Sequence, residues 1–204
     1  MDSSVLRAFH VLEENSEPGT IRTEVVQANI LSRPKEAGRD FRKWIDDGCR
    51  TQTVLADGTQ VIDCLNPSMP AQWRQDGRWK VEWHRPMGAT IWRPQDVGLW
   101  RADQQKTGTI SGRKLRDIIK NKDIPVLPDA LLDFLLANPV LIPEEWKGLY
   151  VFFWGTGYRS PGGGLYVRCL NWNGTAWNWN YNYLDNDWDA YNPALVLASL
   201  PLAA

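Results

Sequence analysis

The chain has 204 residues, 43% of them hydrophobic, and a formal net charge of −1. That length is enough for a sizeable core, and a near-neutral charge supplies no global field to recruit nucleic acid or an anionic membrane. The longest apolar runs, such as residues 130–136, fall far short of the roughly 20 residues a membrane span needs, and no basic-then-apolar leader opens the chain, so a soluble protein is expected.

Residues 3–14 place Val5, Leu6, Phe9 and Leu12 at helical spacing ahead of a Pro18-Gly19 break. Residues 20–32 read as one or two strands. Residues 34–47 form a helical pattern with Phe41, Trp44 and Ile45 as its buried stripe and Gly48 as its stop. Two β-rich runs in 51–64 flank Asp57-Gly58, a hairpin signal. A strand is expected after the turn at Asp76-Gly77, and another within 89–103. His10 and His84 are the only histidines, which excludes a multi-histidine metal site. Cys49, Cys64 and Cys169 show no paired metal-ligand spacing and are expected as reduced, buried thiols.

Two helices follow. Ser111 is a plausible N-cap for 113–120, where Leu115, Ile118 and Ile119 share one face and Arg113, Lys114, Arg116 and Lys120 stay wet. Pro128-Asp129 starts a second, largely apolar helix that stops at Asn138-Pro139. Residues 149–158 then read as one central buried strand, 160–164 as a turn, and 164–172 as another strand. Asn173-Gly174 predicts a tight turn into an antiparallel partner. Residues 184–192 read as a polar loop and 193–200 as a short apolar return strand. With helices clustered first and strands last, the fold class is α+β with a mainly antiparallel sheet.

The most informative stretch is 169–192, CLNWNGTAWNWNYNYLDNDWDAYN, in which seven asparagines interleave with aromatic residues. Strict alternation is the mark of a strand with one packed and one open face. It sends Trp177, Trp179, Tyr181 and Tyr183 to one side and Ala176, Asn178, Asn180 and Asn182 to the other. Asparagine is disfavoured in strands because its short amide competes for backbone hydrogen bonds. A row of asparagines therefore points to a purpose other than stability.

The element order resembles the C-type lectin fold over about the last 110 residues. More narrowly, YVFFWGTGYR, LYVRCLNWNG and WNWNYNYLDNDW, ending in NPALVLAS, resemble the variable proteins of diversity-generating retroelements, in their archaeal and uncultured-bacterial branch. In that family a terminal region is rewritten at adenines, and AAY asparagine codons yield many residue types without a stop. The resemblance implies two helices packed on a twisted antiparallel sheet, in a lectin-like domain at 71–204 with a variable region at 169–192. From composition, residues 1–70 are either a separate attachment domain or a β-rich N-terminal extension of the same fold, and the second is preferred because no linker-like shift separates the halves. The resemblance also implies a scaffold of Trp154, Trp172, Trp177, Trp179, Leu184 and Trp188. The ligand-binding residues it implies are Asn171, Asn173, Thr175, Ala176, Asn178, Asn180, Tyr181, Asn182, Asn186, Asp189, Ala190, Tyr191 and Asn192. Of these Tyr181 conflicts with the alternation, which puts it on the aromatic side, and needs a bulge or a barrel-like twist to be exposed. The implied partner is a varying target, expected to be a protein, with no cofactor, nucleic acid or membrane insertion.

Catalysis is not expected. No phosphate loop, zinc spacing or nucleophile elbow is present, and lone Cys169 lacks the partner that lectin-fold oxidases use. A calcium-assisted carbohydrate lectin is one alternative, since Asp185, Asp187 and Asp189 are oxygen-rich, but the run lacks the glycine and later glutamate of an EF-hand loop. Carboxylates bonding the loop's own backbone are preferred. A structural virion or surface module is the other.

Overall fold

The computed structural model describes residues 53–54 and 60–198. The helices expected at 3–14 and 34–47, the strands at 20–32, Cys49 and the Asp57-Gly58 turn lie outside the described residues. Strand β1 (Thr53–Val54) pairs antiparallel with β2 (Gln60–Asp63), as the first hairpin signal requires. Helix α1 (Ala71–Asp76) ends on Gly77, whose φ of 69° is left-handed, and the chain turns there into β3 (Lys80–His84). Strand β4 (Ala89–Ile91) pairs with β2, Ile62 lying opposite Thr90. Backbone bonds from Cys64 N to Gly88 O and from Met87 N to Cys64 O extend this link. Residues 60–70, assigned from sequence to the extension, are thus joined to residues beyond 71, within a compact unit spanning Gln52–Ala204.

The strand expected within 89–103 is two: β4, and β5 (Val97–Trp100) in the main sheet. Short helix α2 (Asp103–Thr107) and β6 (Ile110–Ser111) lead to α3 (Gly112–Asn121). Ser111 caps α3 as expected, its Oγ accepting from Lys114 N at 3.5 Å, and Leu115 and Ile119 are buried. Helix α4 (Ala130–Ala137) begins after Asp129 and stops at Asn138, because Pro139 cannot continue it.

The run 149–158 is not one strand. It splits into β7 (Tyr150–Phe152) and β8 (Thr156–Arg159), with Tyr150 43% exposed. The break falls where Gly155 meets the segment before α4: its N–H donates to Leu127 O at 2.9 Å, and a Cβ there would sit 2.6 Å from the backbone of Leu127 and Pro128. Strand β9 (Leu165–Trp172) and β10 (Trp177–Tyr183) pair along their whole length, from Trp172 opposite Trp177 to Tyr166 opposite Tyr183. The other edge of β9 is shared end to end by β8 and β7. The expected polar loop 184–192 contains a two-residue strand, β11 (Asp187–Trp188), paired with β6. Strand β12 (Ala194–Leu197) then inserts between β5 (antiparallel) and β7 (parallel).

The result is an α+β domain around a curled, antiparallel-rich sheet. Helix α4 packs on one face with Val151, Phe153 and Leu170. On the other, α3 and the 184–193 loop cover Phe152, Val167 and Cys169. Strand β9 is therefore buried on both sides. Cys64 and Cys169 are free, buried thiols, and burial pushes that of Cys64 up to about 11. No helix among the described residues is long and apolar enough to cross a membrane. Gly155→Ala is expected to cost about 1–3 kcal/mol, because backbone rather than a flexible side chain must give way. An unchanged urea midpoint would show that the approach is not close.

Candidate ligand-binding face

The β9–β10 register decides which side chains face outward. Residues opposite each other across an antiparallel pair share a face, so Trp177, Trp179, Tyr181 and Tyr183 join Trp172, Leu170, Arg168 and Tyr166 on one side. Asn178, Asn180 and Asn182 join Asn171, Cys169 and Val167 on the other. Trp177 and Trp179 are half-buried against the α4 core, while Asn178 and Asn180 are exposed.

Three scaffold residues, Trp154, Leu184 and Trp188, are fully buried, the indole centroids of Trp154 and Trp188 lying 4.8 Å apart. The other three, Trp172, Trp177 and Trp179, are half-buried. Trp172 and Trp177 meet edge to face at 5.5 Å as the last rung of the hairpin, with the Lys147 ammonium 4.3 Å above Trp172.

The amide face brings together Asn171, Asn178, Asn180, Asn182 and Asn186. Asn186 Nδ2 donates to Asn182 Oδ1 at 2.7 Å, which holds the start of the loop against the strand. Asn173, Thr175 and Ala176 form the exposed hairpin tip. The turn is centred one residue beyond Asn173-Gly174: Asn173 N donates to Ala176 O at 3.1 Å, and Asn173 Oδ1 accepts from the amides of Thr175 and Ala176 at 3.0 and 2.9 Å. Gly174 takes a φ of 101° at that corner, a conformation open to glycine.

Asp189, Ala190, Tyr191 and Asn192 form a separate loop whose polar groups serve its own backbone. Asp189 Oδ1 accepts from Tyr191 N at 2.8 Å and Asn192 Oδ1 from Asp189 N at 3.0 Å. Buried Gln105 donates to the carbonyls of Asp189 and Asn192, and Arg101 Nε donates to Ala190 O at 2.6 Å. Only Tyr191 in this loop is largely free, at 63% exposure. The Asp185 carboxylate is bound by Arg113, which holds it below the usual carboxylate range.

Tyr181 is exposed without a bulge, one of the two devices its exposure was expected to need. The register runs unbroken past it, and it lies on the aromatic face, opposite to the asparagines. On that face it is 42% exposed. There its ring stands edge-on to Trp73 at 5.3 Å, beside the Trp73–Trp79 stack at 4.0 Å. Tyr181 and the asparagines therefore cannot line one sheet face.

Tyr150 was not among the sequence-predicted residues. It stands opposite Asn171 on the amide face, and its N–H donates to Tyr191 O at 2.9 Å, linking strand and loop. One signal for it was present, a phenol opening an otherwise apolar run. Gln105 and Arg101, which fix the loop, gave none.

Beneath the aromatic face lies a buried charge cluster. Arg168 is 1% exposed and donates to Asp133 Oδ1 at 2.7 Å, Asp129 Oδ2 at 3.1 Å and Ser68 O at 2.6 Å. Tyr158 donates its hydroxyl to Asp129 Oδ2 at 2.5 Å. Burial alone pulls the guanidinium pKa down, but Asp133 and Asp129 outweigh it and raise it. Burial, with Asp129 adding to it, raises that of Tyr158. The Arg168 guanidinium also lies 4.8 Å from the Trp179 ring, so the cluster supports an indole of β10 directly.

Fold and face together define an α+β domain displaying a polar, asparagine-rich sheet surface on a tryptophan-anchored hairpin. No family model matches the chain, no curated protein matches its sequence, and no solved structure matches its fold.

Arg168→Met is expected to cost about 3–5 kcal/mol, because it leaves the fully buried Asp129 carboxylate without its cation. Urea denaturation reads this directly. A loss under about 1 kcal/mol, the range of an exposed pair, would mean water reaches the cluster.

Proposed function

We propose that this protein is a diversified ligand-binding protein, a variable protein of a diversity-generating retroelement on a C-type lectin-like scaffold, and not an enzyme. One observation carries the reading: an unbroken β9–β10 register turns the amides of Asn178 and Asn180 to solvent while Trp177 and Trp179 pack inward. Stability resides in buried rings and ladder bonds, so the open side chains are available to choose a target.

The recognition surface in this reading is Asn171, Asn178, Asn180, Asn182 and Asn186 with Tyr150 and Tyr191 at its border, and the hairpin tip 173–176 beside it. Tyrosine supplies rigid amphipathic area and asparagine adaptable hydrogen bonding, a pairing suited to protein targets. Asp189, Ala190 and Asn192 shape the loop more than they present a surface, and Tyr181 belongs to the other face. The calcium-lectin alternative draws no support from Asp185 and Asp189, whose carboxylates are held by Arg113 and the Tyr191 amide.

Two tests follow. In the gene, the asparagine codons between 171 and 192 are expected to be AAC or AAT, with a nearby near-copy differing chiefly at adenines and a reverse transcriptase gene close by. Absence of all of these removes diversification from the reading. In a display library randomised at 171 and 178, most members are expected to stay within about 0.5 kcal/mol of the parent in stability. Widespread unfolding would show the face to be packed.

A further inference from the structure

Among the described residues, β10 has β9 as its only strand partner, so its other edge is open. Two bonds frame the hairpin: Leu184 N to Leu165 O at 2.9 Å and Asn173 N to Ala176 O at 3.1 Å. Because hydrogen-bonded pairs alternate along an antiparallel ladder, 178, 180 and 182 direct their backbone to β9. Trp177, Trp179, Tyr181 and Tyr183 direct theirs to the open edge.

Two of those four outward amides are already taken. Tyr181 N donates to Asn180 Oδ1 at 2.8 Å, and Tyr183 N donates to Asn182 Oδ1 at 2.9 Å. Each asparagine folds its side chain back over the amide that follows it. Trp177 and Trp179 have no such cap among the described residues. An uncapped edge is a template for another strand.

The edge is also self-complementary. Set antiparallel to a second copy about Asn180, the strand WNWNYNY aligns Trp177 with Tyr183 and Trp179 with Tyr181, ring on ring. All four outward residues then fall at hydrogen-bonding positions. No residue would have to change face for the pairing to form.

We infer that the outer edge of β10 is a self-pairing surface for a second copy of this chain, and that Asn180 and Asn182 hold it closed by occupying its amides. The inference does not rest on the diversification reading, since an edge strand needs such a guard whether or not its gene varies. It assigns these two asparagines a role that Asn171 and Asn178 on the same face do not share.

The test compares the full-length double variants Asn180→Val/Asn182→Val and Asn171→Val/Asn178→Val by sedimentation equilibrium, with amide hydrogen exchange. Both add the same apolar area to one face, but only the first removes caps. The first is expected to associate more strongly with rising concentration than the parent, protecting the Trp177 and Trp179 amides. The second is expected to match the parent. Equal association of both variants, no association of the first, or association that leaves those amides unprotected each overturns the inference. If the first variant does not fold, the parent decides. Its Tyr181 and Tyr183 amides are expected to exchange about fivefold more slowly than those of Trp177 and Trp179, and equal rates overturn the inference.

Discussion

The arrangement depends on one buried cation. Arg168 sits in the middle of the central strand and holds the carboxylates of Asp129 and Asp133 at the start of α4, together with the Ser68 carbonyl. Two segments distant in sequence are thereby fixed to β9 through one guanidinium. A buried charge is tolerated only when its partners are placed with good geometry, so the cluster rejects a shifted strand or a rotated helix that a purely apolar contact would accept. The register of β9 is pinned by this requirement, and the register of β10 follows from it.

Above the cluster, the two faces of the hairpin have different tasks. The indoles of Trp177 and Trp179 lean into the core that α4 completes, and Trp179 rests over the Arg168 charge. The asparagines stand on the opposite side, where Asn178 and Asn180 are exposed and Asn171 and Asn182 are half-buried. Their poor strand propensity is partly offset locally, since Asn173, Asn180 and Asn182 each accept from a nearby main-chain amide that β9 does not engage. An asparagine row therefore has a structural use at an edge as well as a recognition use at a surface.

Much of this was legible in the chain. The alternation in WNWNYNY gave the facing of every residue in β10, Ser111 and Asn138-Pro139 gave the helix limits, and Asn173-Gly174 placed the turn to within one residue. What escaped depends on parts of the chain far away. The break between β7 and β8 is set by the approach of Leu127 to Gly155, which no local pattern records. The apolar run around Tyr150 predicts burial, yet opposite Asn171 at the start of β7 its side chain is 43% exposed. Tyr181 lies on the aromatic face, as the period requires, and is 42% exposed there with no break in register. The short pairing of Asp187–Trp188 with β6 likewise arises from the packing of Trp188 under Gly112.

The rung formed by Trp172 and Trp177, with Lys147 laid over it, works as a clasp. Behind it the two strands are locked in step by ladder and core; ahead of it the chain is only a turn, closed by the amides gathered on Asn173. Lengthening that turn would disturb no ladder bond and no buried side chain, and the entropy of closing a loop rises by only about 0.6 kcal/mol for each doubling of its length. The hairpin can thus vary in reach as well as in composition, with the clasp isolating the sheet from whatever is inserted beyond it.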